Sequence, residues 1–122
     1  MVSIDVSHGL EIIEGLERAH LKLNVAVWMF LSEFEDWRLV VSSRHFDTPD
    51  PRDAYRLLHN SLDADGIDFR KTPPILILPT SDKFVRELRR LFGKTKSVEG
   101  MRLGCQMIGD RFVEDAYVYR IA

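Results

Sequence analysis

The chain has 122 residues, a formal net charge of −2, 45% hydrophobic residues and 30% charged ones. That length fits one domain with one real core, and that composition excludes a disordered or fibrous chain. The lone cysteine, Cys105, excludes an internal disulfide and fits a reducing compartment.

The start, Met1-Val2-Ser3-Ile4-Asp5, has neither the basic nor the apolar region of a secretory signal. No apolar run approaches the roughly 20 residues of a membrane helix. The expectation is a cytoplasmic protein without a membrane partner.

The first predicted element is a helix over 7–23, with Ser7 as its cap. Gly9, Ile13, Leu16, His20 and Leu23 recur at helical spacing. On that stripe His20 reads as a core histidine with one backbone partner rather than as a ligand or base.

Residues 25–43 form the densest apolar stretch. Val25–Leu31 is apolar on both alternating faces, as expected of a strand covered on both sides. Trp37, Leu39 and Val41 share one face of a second strand, while Arg38 and Ser42 fall on the other. The short acidic link Ser32-Glu33-Phe34-Glu35-Asp36 makes the pair an antiparallel hairpin. Its carboxylates read as a solvated loop tip.

Asp50-Pro51-Arg52-Asp53 is a helix start: Asp50 caps, Pro51 occupies the first turn and Asp53 follows. Ala54, Tyr55, Leu58 and Leu62 form its apolar stripe. Asp63-Ala64-Asp65-Gly66 invites a calcium reading and fails it. Counted from Asp63, the places an EF-hand reserves for its third oxygen ligand, its glycine and its glutamate hold Ile67, Asp68 and Pro74. The stretch reads as a helix exit.

Ile75-Leu76-Ile77-Leu78 is a short buried strand. A third helix follows, capped by Thr80, Ser81 or Asp82 and closed by Gly93. Phe84, Val85, Leu88, Leu91 and Phe92 point inward; Lys83, Arg86, Arg89 and Arg90 point outward, followed by Lys94 and Lys96. The last segment is a hairpin of 101–108 and Arg111–Ile121 about Gly109-Asp110, a pair suited to a type II′ turn. The apolar phase shifts within its second strand, so a bulge is expected at Glu114-Asp115.

The resulting order is α-β-β-α-β-α-β-β in a single α+β domain over 1–122. The expected fold is a mixed, largely antiparallel five-stranded sheet with three helices. Trp28, Trp37-Arg38-Leu39-Val40, Asp53-Ala54-Tyr55-Arg56 and Glu114-Asp115-Ala116-Tyr117-Val118-Tyr119-Arg120 together resemble a group of small bacterial hypothetical proteins with no assigned activity. The resemblance implies a bacterial cytosolic domain and carries over no catalytic residue.

No Walker loop, nucleophile elbow or His-Glu-x-x-His motif is present. The four histidines, His8, His20, His45 and His59, are too scattered in sequence for a closed zinc site, and no cofactor is implied. Cys105 reads as a small buried strand residue rather than a nucleophile.

Two clusters remain. Arg111, Glu114, Asp115 and Arg120, with Asp47 or Asp50, could serve metal-dependent phosphoester cleavage, with Glu114 and Asp115 as the catalytic candidates. Cross-strand ion pairs account for the same residues more simply. The other cluster is the basic row Lys83, Arg86, Arg89, Arg90, Lys94 and Lys96, which could bind a protein partner or phosphates.

Residues 1–65 hold 12 acidic and 6 basic side chains, net −6. Residues 66–122 hold 7 acidic and 11 basic, net +4. The asymmetry fits internal complementarity, head-to-tail association or an acidic partner on the second half. The reading that fits best is a non-enzymatic interaction module with a protein partner or as a homodimer. The alternative is nucleic-acid binding or phosphoester cleavage.

Overall fold

A computed structural model describes residues 6–122 except 69, 71, 96 and 97. The elements run α1 (Val6–Arg18), β1 (Val25–Leu31), β2 (Asp36–Ser42), a 3-10 turn (Arg44–Phe46), α2 (Pro51–Ala64), β3 (Ile75–Ile77), α3 (Lys83–Phe92), β4 (Arg102–Ile108) and β5 (Arg111–Ile121). This is the α+β order expected from the sequence.

The five strands form one mixed sheet in the order β3-β2-β1-β5-β4. Only β2 and β3 pair in parallel; the other three pairings are antiparallel. The central strand is β1, and its all-apolar sequence follows from cover on both faces.

Ala26, Trp28, Leu39 and Val41 meet Ile12, Ile13, Leu16, Leu58 and Leu62 of α1 and α2 on one face. Val25, Val27, Met29 and Val40 meet Phe84, Val85 and Leu88 of α3 on the other. The period-two alternation of the strands thus feeds two separate apolar cores.

α1 is shorter than its apolar spacing suggests. It stops at Arg18, and His20 takes a left-handed conformation at φ 65°. The Leu21 N–H donates to the Leu16 carbonyl at 3.1 Å, and the His20 N–H donates to Glu17 at 3.0 Å. This is a Schellman end with Leu21 folded back onto the core. His20 is therefore an exposed turn residue, not the core histidine the stripe implied. Ser7 lies within the helix rather than capping it.

α2 begins as expected: the Asp50 side chain accepts from the Arg52 N–H at 3.0 Å, and Pro51 opens the helix. Asp63 to Gly66 is its exit. Gly66 sits at φ 79°, with the Ile67 N–H on the Leu62 carbonyl at 2.9 Å and the Gly66 N–H on Asp63 at 3.0 Å. The two Schellman ends lie side by side, and Arg18 clamps Asp65 through Nε at 2.9 Å and a terminal nitrogen at 2.6 Å. Asp82 caps α3 by accepting from the Phe84 N–H at 2.9 Å.

The phase shift in the last hairpin is present but differs from a one-strand bulge at Glu114-Asp115. Leu103 and Ile108 of β4 both enter the α3-side core, as do Val113 and Ala116 of β5. Each strand therefore changes phase, and the changes face each other. The register consequently holds, with Gly104 opposite Asp115 and Gln106 opposite Val113. Cys105 lies in this kink at φ 51°. The register slip of β5 lies elsewhere, where Tyr119 is the extra residue opposite Ala26/Val27 of β1.

Gly109 has φ 62° and Asp110 does not share the positive sign, the pattern of the type II′ turn.

Candidate functional site

The outer face of α3 is largely polar because Phe84, Val85, Leu88 and Phe92 fill the second core at helical spacing; Leu91, expected inward with them, is instead 44% exposed. Lys83, Arg86, Arg89, Arg90 and Lys94 are all exposed on it. Lys96 lies outside the described residues.

The cations are not equivalent. Arg90 is paired with Glu87, and the hydrogen bond from Arg90 holds that carboxyl below its ordinary range. Arg89 donates Nε to the main-chain oxygen of Ala122 at 2.7 Å. Among the described residues, Lys83, Arg86 and Lys94 have no carboxylate within 4.0 Å.

A recess of about 460 Å³ adjoins this face, lined by Lys22, Asn24, Arg44, His45 and Arg89. It forms where the start of β1 and the end of β2 meet α3. Nothing in the sequence pattern brings these five residues together, since they come from three separate segments. The exception in kind is Asn24, a polar residue directly before an all-apolar strand.

The carboxylate cluster does not assemble. Asp115 accepts from Arg102 at 2.7 and 2.8 Å. Glu114 is exposed with no partner among the described residues. Arg111 holds Glu33 at 2.6 Å, and Arg120 reaches Glu17 at 3.1 Å and Glu99 at 3.5 Å. The Glu17 bond raises the Arg120 pKa.

Asp47 accepts from the Thr80 N–H at 3.0 Å, and Asp50 caps α2. Thr80 follows β3, at the opposite edge of the sheet from β4. Among the described residues, no three His, Cys, Asp or Glu side chains could hold one metal ion. Asp47 and Asp50 thus accept backbone hydrogen bonds, Glu114 faces solvent, and Arg111, Asp115 and Arg120 are taken up in ion pairs. Two of them, Glu33–Arg111 and Glu17–Arg120, join the acidic first half to the basic second half.

Cys105 is exposed on edge strand β4, contrary to the buried role its neighbours suggested. Alternation fails there because the kink turns the residue out of the core. The same kink leaves the cross-strand pair Met107 and Phe112 at 62% and 53% exposure.

A more apolar cavity of about 600 Å³ lies between Phe46, Pro49, Tyr55, Ile77 and Pro79. The Tyr55 hydroxyl accepts from the Ile77 N–H at 3.0 Å and so covers part of the β3 edge. Among the described residues, no helix is long and apolar enough to cross a membrane.

No protein-family model matches the chain, and neither a curated protein nor a solved structure matches it.

Proposed function

We propose that this chain is a non-enzymatic accessory module that docks an acidic protein partner on the outer face of α3, in a bacterial cytoplasm. The observation that carries the reading is the set of cations without carboxylates, Lys83, Arg86 and Lys94, on one exposed face. Cations outside ion pairs are available to a partner's carboxylates, whereas those already paired are not. The +4 charge of residues 66–122 steers such a partner toward this half. Nucleic acid is the weaker reading, because no aromatic residue interleaves on this face to stack bases.

The test is crosslinked capture from host lysate at low salt, repeated with the Arg86→Glu/Lys94→Glu variant. The expected result is a discrete acidic protein, released by added salt and absent with the variant. Retention by the variant would overturn the reading, as would loss of the complex on nuclease treatment. So would metal-dependent turnover abolished by Glu114→Ala.

A further inference from the structure

We propose that the recess lined by Lys22, Asn24, Arg44, His45 and Arg89 is a binding site for the phosphoryl group of a small phosphate ester or of free phosphate. The proposal stands apart from partner docking on α3, since only Arg89 belongs to both.

The cationic lining carries the argument, and Asn24 completes it. Asn24 is 7% exposed and lines the recess. Its backbone is fully engaged: the N–H donates to the Ser42 carbonyl at 2.8 Å, and its carbonyl accepts from the Ala122 N–H at 2.8 Å. Its side-chain amide has no hydrogen-bond partner among the described residues. The amide atoms reach the space of the recess rather than being sealed in the core, so they can bond whatever enters it.

The surroundings state the charge of that occupant. Lys22, Arg44 and Arg89 are cations, and among the described residues no carboxylate side chain lines the recess. Lys22 and Arg44 have no carboxylate within 4.0 Å among the described residues. The frame is fixed rather than floppy. Ser43 Oγ donates to the Lys22 carbonyl at 2.6 Å, and Arg89 Nε is held on the main-chain oxygen of Ala122 at 2.7 Å. That leaves the terminal guanidinium nitrogens of Arg89 as donors.

Two guanidiniums, an ammonium and an amide NH₂ are donors that outnumber the acceptors of one carboxylate. They match the several oxygens of a doubly charged phosphoryl group, which suits both the planar fork of arginine and the point charge of lysine. The volume, about 460 Å³, falls within the roughly 300–1,000 Å³ of small-ligand sites. It leaves room for a small organic group beside the phosphate.

The test is NMR titration of the ¹⁵N-labelled protein, following the Asn24 side-chain NH₂, with inorganic phosphate and with glycerol phosphate. Sodium chloride at equal ionic strength is the reference. The expected result is a saturable one-site shift of the Asn24 amide, with Kd of about 1 mM or tighter. Tighter binding of glycerol phosphate identifies an ester as the ligand; equal binding identifies the free ion.

Lys22→Gln and Arg44→Gln, both at exposed positions, are each expected to weaken binding by about tenfold. A shift reproduced by chloride, no saturation, or unchanged affinity in the Lys22→Gln/Arg44→Gln double variant would overturn the proposal.

Discussion

Gly9→Ala is expected to destabilise this protein although it replaces glycine with the best helix former. Gly9 is buried near the start of α1, against Trp28 and Tyr119 of the sheet. A methyl group there would clash with the Tyr119 hydroxyl and stand 2.5 Å from Trp28 Nε1 and 2.8 Å from Tyr119 Cζ. The shortfall from an ordinary carbon contact is about 1 Å.

Neither neighbour is free to yield. Trp28 is 5% exposed and Tyr119 1%, both within the same core. The Tyr119 hydroxyl also donates to the Val6 carbonyl at 2.9 Å, and rotating it away breaks that bond.

Overpacking of this kind costs about 1–3 kcal/mol, and losing the hydrogen bond costs about 1 kcal/mol. Replacing glycine within a helix returns about 1 kcal/mol. The net is a loss of about 1–3 kcal/mol. For 122 residues the unfolding entropy is about 0.26 kcal/mol/K, so each kilocalorie moves Tm by about 4 °C.

Calorimetry should therefore place Gly9→Ala about 4–12 °C below wild type. Gly15→Ala is the comparison on the same helix. Its added methyl meets Ile67 Cδ1 at 2.8 Å, the far end of a flexible chain, so a smaller change is expected. A Gly9→Ala Tm at or above wild type would refute the packing argument, as would a larger loss for Gly15→Ala.

Asp50→Ala removes the cap from the Arg52 N–H and should cost about 1 kcal/mol, or about 4 °C in Tm; Asp50→Asn should restore most of it. The Arg18 hydrogen bond holds the Asp65 carboxyl below its ordinary range. That stabilisation is present above the unfolded carboxyl pKa and is lost as pH falls through the lower folded value. Asp65→Asn should therefore flatten the fall of Tm below about pH 4; an unchanged acid profile would mean the clamp is absent in solution. Cys105, exposed at the β4 kink, should react stoichiometrically with a thiol reagent in the native protein. Labelling only after denaturant would place it in the core.

The sequence by itself determined the element order, because each element carries a local signal. Val25–Leu31 shows double-faced apolarity, Asp50-Pro51 shows a cap and first turn, and Gly109-Asp110 shows the turn. It also settled that α3 is amphipathic, since a polar outer row at helical spacing needs no partner to be recognised.

Tertiary structure decided what depends on position in space. His20 fits the apolar stripe by spacing, yet a left-handed turn, which periodicity does not encode, swings it into solvent. Cys105 alternates as a buried residue until two facing strands change phase together. Glu114 and Asp115 are neighbours in the chain, yet Asp115 is held by Arg102 of another strand while Glu114 faces solvent. The recess around Asn24 was not legible at all. Its donors come from segments around residues 22, 44 and 89, and only the closing of β1 between β2 and β5 brings them together. Periodicity reports which face of an element is buried. It carries no information about which remote side chains share a space, because that is set by strand order and packing.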